Sequence, residues 1–301
     1  MTIRFAREVG NAIRAMQGFY LVLCLENFAK IALSYKEFGA VFKPSVFTGF
    51  LHLIPHEIGF FGVQILYIPS MLCAALAPQL IGTRLCAAIT QFLLTAYLYG
   101  FGFDYHGLLP QMYVCLGLAF VLPVGAGLTS MSERIRFLVS YKIVMFIALL
   151  HYTISGLWKL AYAFLLQPLE GARGIFSWDA YAYIATGYLA QSGVEPLLAD
   201  WAISNSPLMT ILFGLAIYVE VFAWVGILRP ATAKVFAIGL LGMHTFALFT
   251  LGINFKDSIP IIIFFLFLHP TEVKYSLLDG IRELPILRQI INRLFRGFTN
   301  A

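Results

Sequence analysis

The sequence is short of charge: Asp, Glu, Lys and Arg make up 12% of its 301 residues, against about 25% in a typical soluble domain. So few charges cannot cover a water-soluble globule, and a chain that is 60% hydrophobic is not a disordered one. Cysteine is equally scarce. Cys24, Cys73, Cys86 and Cys115 each stand alone in an apolar stretch with no C-x-x-C pair, which argues against a disulfide framework, a zinc site or a thiol relay. Repeats and low-complexity tracts are lacking as well. The net charge of +5 would suit nucleic acid, but Lys and Arg are scattered into short loops and the termini, where they read as topology signals rather than a nucleic-acid surface.

What the chain does have is apolar length. Sixty per cent of 301 is roughly 180 residues, and a membrane-spanning helix uses about 20, leaving room for about eight or nine spans. The fold class expected is all-α: a polytopic integral membrane helical bundle embedded in the lipid bilayer. Apolar runs at 17–35, 57–79, 83–101, 107–127, 137–163, 207–228, 232–254 and 257–269 predict eight spans. Arg4, Arg7, Arg14, Arg84, Arg134, Arg136, Arg229 and Lys234 fall on one side of this arrangement, whereas the segment 164–206 carries Glu170, Asp179, Glu195 and Asp200 against Arg173 alone. The positive-inside bias then puts both termini in the cytoplasm.

Three regions follow. Residues 1–16 read as a basic amphipathic surface helix, with Ile3, Ala6, Val9, Ile13 and Met16 on one stripe and Arg4, Arg7, Asn11 and Arg14 on the other. Residues 17–270 form the transmembrane domain, and 271–301 a cytoplasmic amphipathic tail in which Pro285 should break or bend the helix. Within the membrane domain, 164–206 is too long for a bare connector; with Trp178, Tyr181, Tyr183 and Tyr188 it is expected to form a re-entrant or interfacial cap over the outer face.

Ionisable residues inside apolar runs are the informative ones, because each costs about 2.5–3.5 kcal/mol at the bilayer centre on insertion scales. In the fifth run His151, Ser155 and Lys159 recur every four residues, with Tyr152 and Gly156 beside them, predicting a polar column near the outer end of the span. Desolvation there favours a neutral amine, which is a general base; a lysine snorkelling to the headgroups is the structural alternative. Tyr218 and Glu220 lie in the sixth run and His244 in the seventh, as candidate pocket residues or as helix-to-helix hydrogen bonds. Glu26 and Lys30, one turn apart, suggest a structural intramembrane ion pair. His106, next to Asp104, could cap a helix or line a cleft, and His269 is read as interfacial. His52, His56 and Glu57 make too weak a signal for metal, and none is expected.

The stretch from Arg134 to Pro270 carries Tyr152-Thr-Ile-Ser155-Gly156-Leu-Trp-Lys159-Leu160, then Glu220, His244 and Asn254-Phe255, and closes at His269-Pro270. It resembles the membrane domain of the vitamin K-dependent gamma-carboxylase family, the horizontally transferred transmembrane domain, whose core motif runs Tyr-x-x-Ala-Gly-x-x-Lys-Leu. Ser155 stands where that motif has Ala. His106, followed by an apolar span ending at Pro123, fits the same pattern. The resemblance implies a lysine-like base at Lys159 acting on a reduced quinone of the vitamin K type, a lipid-soluble small molecule, with O2 and CO2 where carboxylase chemistry is retained. It further implies an orienting or proton-sharing role for His244, and for Glu220 a role holding helices together or binding a partner cation. The large extramembrane region of animal carboxylases has no counterpart here, so glutamate carboxylation is not the expected reaction. Short bacterial members include proteins that help mature a secreted peptide toxin, which suggests a bacterial inner-membrane location and, as the alternative function, a maturation or export factor for a secreted peptide client. A small-solute transporter ranks last, since no inverted repeat or pair of broken spans is evident.

Overall fold

The computed structural model describes residues 2–34, 49–53, 56–101, 108–123, 128–166, 177–270, 276–286 and 288–289; of these, the side chains of 2–3, 28–34, 52–53, 56–57, 108 and 166 are left aside. Every regular element among the described residues is helical. The long ones are α1 (Thr2–Ser34), α2 (His56–Leu76), α3 (Ile81–Gly100), α4 (Leu108–Phe120) and α5 (Met131–Ala161). After these come α6 (Ala180–Ser192), α7 (Ala199–Ser204), α8 (Ser206–Phe222), α9 (Pro230–Leu251) and α10 (Leu277–Arg282). Among the described residues four helical stretches, Ile58–Leu76, Ile81–Gly100, Met131–Leu165 and Pro230–Leu251, are long and apolar enough to cross a membrane. Leu109–Phe120 and Ser206–Phe222 are apolar but shorter. The predicted last run, 257–269, is helical only in pieces, with a π-helical turn over Ile262–Phe267.

The chain divides into two compact units. The first comprises residues 1–148 and 256–272, the second 149–255 and 273–301, so α5 contributes its first half to one and its second half to the other. In the first unit α1 packs on α2, α2 on α3 and α3 on α4. Phe19 of α1 meets Phe265 edge-on with ring centres 5.1 Å apart, and Tyr141 of α5 stacks on the same ring at 5.7 Å. Gly18 is needed beside them, because a Cβ there would run into the Phe264 ring.

The N-terminal segment differs from expectation. Instead of a separate helix over 1–16, α1 is continuous from Thr2 to Ser34, and its covered stripe is Glu8, Val9, Ala12, Ala15, Met16, Phe19, Tyr20 and Leu23. Of the five residues expected on the apolar stripe, Val9 and Met16 are buried while Ala6 is exposed. Glu8 is tolerated in the covered face because Arg4, one turn back, donates to it at 3.0 Å.

In the second unit Tyr181 and Ala185 of α6, Ala202 of α7 and Met209 of α8 form a small core, with Phe246 and Leu251 of α9 packed on it. The backbone N–H of Leu198 donates to the Phe249 carbonyl at 2.9 Å, and α9 ends at Gly252 in the left-handed conformation (φ 71°). A Cβ at Gly252 would collide with Val194, so this turn requires glycine on two counts. The tail is not a free amphipathic helix where it is described. Ser276 and Asp279 close a capping box on α10, and Gly280 presses on the Ala231 carbonyl of α9 so closely that no Cβ would fit. Regular helix stops at Arg282, three residues before Pro285.

Candidate functional site

The second half of α5 supplies the motif residues. Gly156 faces α8: a Cβ there would lie 2.8 Å from Val221 Cγ2 and 2.9 Å from the Val221 nitrogen. Only glycine lets the two backbones approach this closely. One turn further along, this proximity lets Lys159 reach Glu220, with Nζ 2.6 Å from both carboxylate oxygens. Glu220 is buried, and the lysine side chain keeps 34% of its surface. Two turns before Lys159, the buried Tyr152 hydroxyl lies 3.1 Å from His244 Nε2 on α9. The His244 ring leans on Phe255 with centres 4.4 Å apart, and its Nδ1 has no partner among the described residues. Immediately after Lys159 the helix widens into a π-helical turn over Tyr162–Leu166, a distortion that often accompanies functional sites.

Tyr152, Gly156 and Lys159 of α5 are in contact with α8 and α9, and His151 and Ser155 of the expected column lie on the same helix beside them. His151 and Ser155 are only half-buried, and His151 makes an edge contact with the Tyr152 ring at 5.8 Å. Sequence spacing alone favoured the i, i+4, i+8 series, but helix contacts repeat at three and four residues, so 152, 156 and 159 share the packed side equally well.

Tyr218 is not gathered with Lys159. Two residues from Glu220 it points to another side of α8, where its hydroxyl donates to the Pro285 carbonyl and ties down the chain after α10. Arg229 and Arg288 both pair with Glu283 near the same segment, at 3.7 and 3.1 Å. Glu26 accepts from Gln111 Nε2 at 3.0 Å, and the same nitrogen donates to the Asp257 carbonyl at 2.7 Å. The Lys30 side chain, His106 and the side chains of His52, His56 and Glu57 lie outside the described residues.

Sequence reasoning also passed over Arg84. It was counted as a loop charge, but it is fully enclosed in the first turn of α3, with Nη2 donating to the Pro123 carbonyl at 2.9 Å. Among the described residues no group of three or more potential metal ligands comes together. No family model, curated protein or solved structure matches the chain. Among the described residues, fold and site thus define an all-helical protein with four helices fit to cross a membrane and, in one unit, a lysine–glutamate pair beside a tyrosine–histidine pair.

Proposed function

We propose that the chain is a polytopic integral membrane enzyme of the vitamin K-dependent carboxylase-like type, with Lys159 and Glu220 as its proton-accepting pair and a reduced quinone or similar lipid-soluble molecule as ligand. It has eight spans with both termini in the cytoplasm, and its location is the inner membrane of a bacterium. The observation that carries the reading is the two-oxygen contact between Lys159 and Glu220 among apolar helices. A buried ion pair gives little stability for its desolvation cost, and this favours a chemical role over scaffolding.

The pair as a unit is neutral and can accept one proton. Glu220 takes up a proton from a ligand hydroxyl, directly or through the lysine amine, and the Lys159 ammonium remains to hold the oxygen left behind. His244 is placed to orient the ligand. When the Tyr152 hydroxyl donates to Nε2, the proton of a neutral ring sits on Nδ1. The chemistry supplied by a bound reduced quinone is that of an oxidisable hydroxyl-bearing ring. The residues present fit such a group: a partly open lysine paired with a buried glutamate, and the neighbouring Trp158 and Phe164, both exposed on the apolar exterior.

The test is binding of a reduced quinone to the purified protein in nanodiscs. Wild type should bind, and Lys159→Met/Glu220→Gln should not while remaining folded. Equal binding by both proteins would refute the assignment.

A second reading, maturation or export of a secreted peptide, is favoured by an open groove of about 820 Å³ along α6, lined by Asp179, Tyr183, Thr186, Tyr188 and Gln191. Its mainly apolar lining, which also includes Ile184, with a few polar groups among it, suits a peptide chain. A peptide that crosslinks to α6, and whose maturation survives the double substitution, would favour this reading over the first.

A further inference from the structure

In the second unit α10 is fixed to the start of α9, a helix long and apolar enough to cross a membrane. A Cβ on Gly280 would run into the Ala231 carbonyl and the Val235 side chain, so the short helix lies beside the first turns of α9. Two contacts hold the chain that follows. Arg229 Nη1 donates to the Glu283 carbonyl at 3.2 Å, and the Tyr218 hydroxyl donates to the Pro285 carbonyl. In a chain that spans a bilayer, the first turns of a span stand at the level of the lipid headgroups.

This end of the unit is both apolar and basic on its outside. Leu228 and Leu278 expose 68% and 65% of their surface, and Leu277 and Ile286 are exposed beside them in sequence. Ile286 holds a φ of 66°, a conformation costly to a β-branched residue that burial within the chain does not offset. Arg229 and Arg288 share one carboxylate, Glu283, at 3.7 and 3.1 Å. Arg282 and Lys234 are exposed and make no ion pair among the described residues. Against these four cations stand Asp279 and Glu283, so the face is positive.

Exposed leucines among arginines match a surface that offers hydrocarbon and negative charge side by side. The boundary of a bilayer containing anionic phospholipid offers both: leucines lie among the acyl chains while guanidinium groups meet phosphate oxygens. We propose that α10 and the turns on either side of it, through Arg229, Arg282, Arg288, Leu277 and Leu278, bind the anionic phospholipid headgroups of the membrane that the chain spans, and that this anchors the C-terminal segment. The proposal rests on the reading of the chain as a membrane protein and is independent of the chemistry assigned to Lys159.

The test places the full chain in nanodiscs of phosphatidylcholine alone, and of phosphatidylcholine and phosphatidylglycerol in equal parts. The rate at which a protease of broad specificity cleaves between 276 and 286 is then compared. Wild type should be cleaved several-fold more slowly in the anionic discs, and the difference should vanish in about 1 M salt, where the Debye length is about 3 Å. Arg282→Gln/Arg288→Gln should be cleaved equally fast in both lipids. Arg288 also pairs with Glu283, so Arg282→Gln alone, which breaks no ion pair, decides the matter if the double variant loosens the segment; it should lose part of the difference. Wild type cleaved at one rate in both lipids, as expected if the face served a protein partner instead, overturns the proposal and leaves the membrane reading intact. A chain that does not enter the discs overturns both.

Discussion

Lys159 and Glu220 illustrate how one buried pair constrains its variants. Replacing the lysine alone strands a carboxylate that is 5% exposed. Breaking a buried pair in this way costs about 3–5 kcal/mol, and the partial exposure of Lys159 puts this case at the low end. Lys159→Met should therefore lower the thermal midpoint in detergent, whereas Lys159→Met/Glu220→Gln should recover most of the loss while remaining inactive. Gly156→Ala acts one step earlier, by pushing α5 away from the Val221 backbone. Overpacking of this kind costs about 1–3 kcal/mol, so the same melting measurement should show a drop, and quinone binding should fall with it because the lysine no longer reaches Glu220. Tyr152→Phe removes the partner of His244 Nε2; leaving that nitrogen unsatisfied costs about 1–3 kcal/mol, with a destabilisation that double-mutant cycles with His244→Phe should show to be non-additive.

Among the elements, α10 is the most open to test, because it lies outside the apolar runs and depends on its cap. Hydrogen bonds from Ser276 hold the Asp279 carboxyl below its usual range. A lowered carboxyl pKa stabilises the folded segment above the ordinary carboxylate range, and the gain is lost as pH falls through the lowered value. Protease cleavage between 276 and 286 should thus be slow at neutral pH and accelerate in acid, and Ser276→Ala should be cleaved fast at both. Cleavage that is independent of pH would contradict the role given to the cap.

The elements also show what the sequence makes legible. The described parts of the apolar runs are largely helical, and four of them are long and apolar enough to cross a membrane, since an unbroken stretch of Leu, Ile, Phe and Val bounded by Gly, Pro or Arg leaves few other options. The stripe of α1 was read only in part because Ala6 stands in as regular a series as Val9 and Met16, which are covered, and only the packing partners choose between them. Lys159, Glu220, Tyr152 and His244 were identifiable as ionisable or polar groups in apolar surroundings, but their pairing was not. It depends on Gly156 meeting Val221, a contact between residues far apart in sequence. Tyr218 was misplaced for the same reason, its partner being the Pro285 carbonyl in a segment that no periodicity connects to α8.

For the whole molecule, the arrangement rests on the asymmetry of basic residues between alternate loops, with an acidic segment between 164 and 206. Reporter fusions at the two ends should both read cytoplasmic, and one inserted at Gly193, in the exposed turn after α6, should read external. A cytoplasmic reading at Gly193 would invert the proposed outer cap. The account as a whole turns on whether this bundle holds a lipid-soluble redox molecule against Lys159. The most direct measurement is mass spectrometry of the small molecules extracted from purified wild type and from Lys159→Met/Glu220→Gln. The account predicts a stoichiometric quinone in wild type that is missing from the folded double variant; quinone retained equally in both, or absent from both, would contradict it.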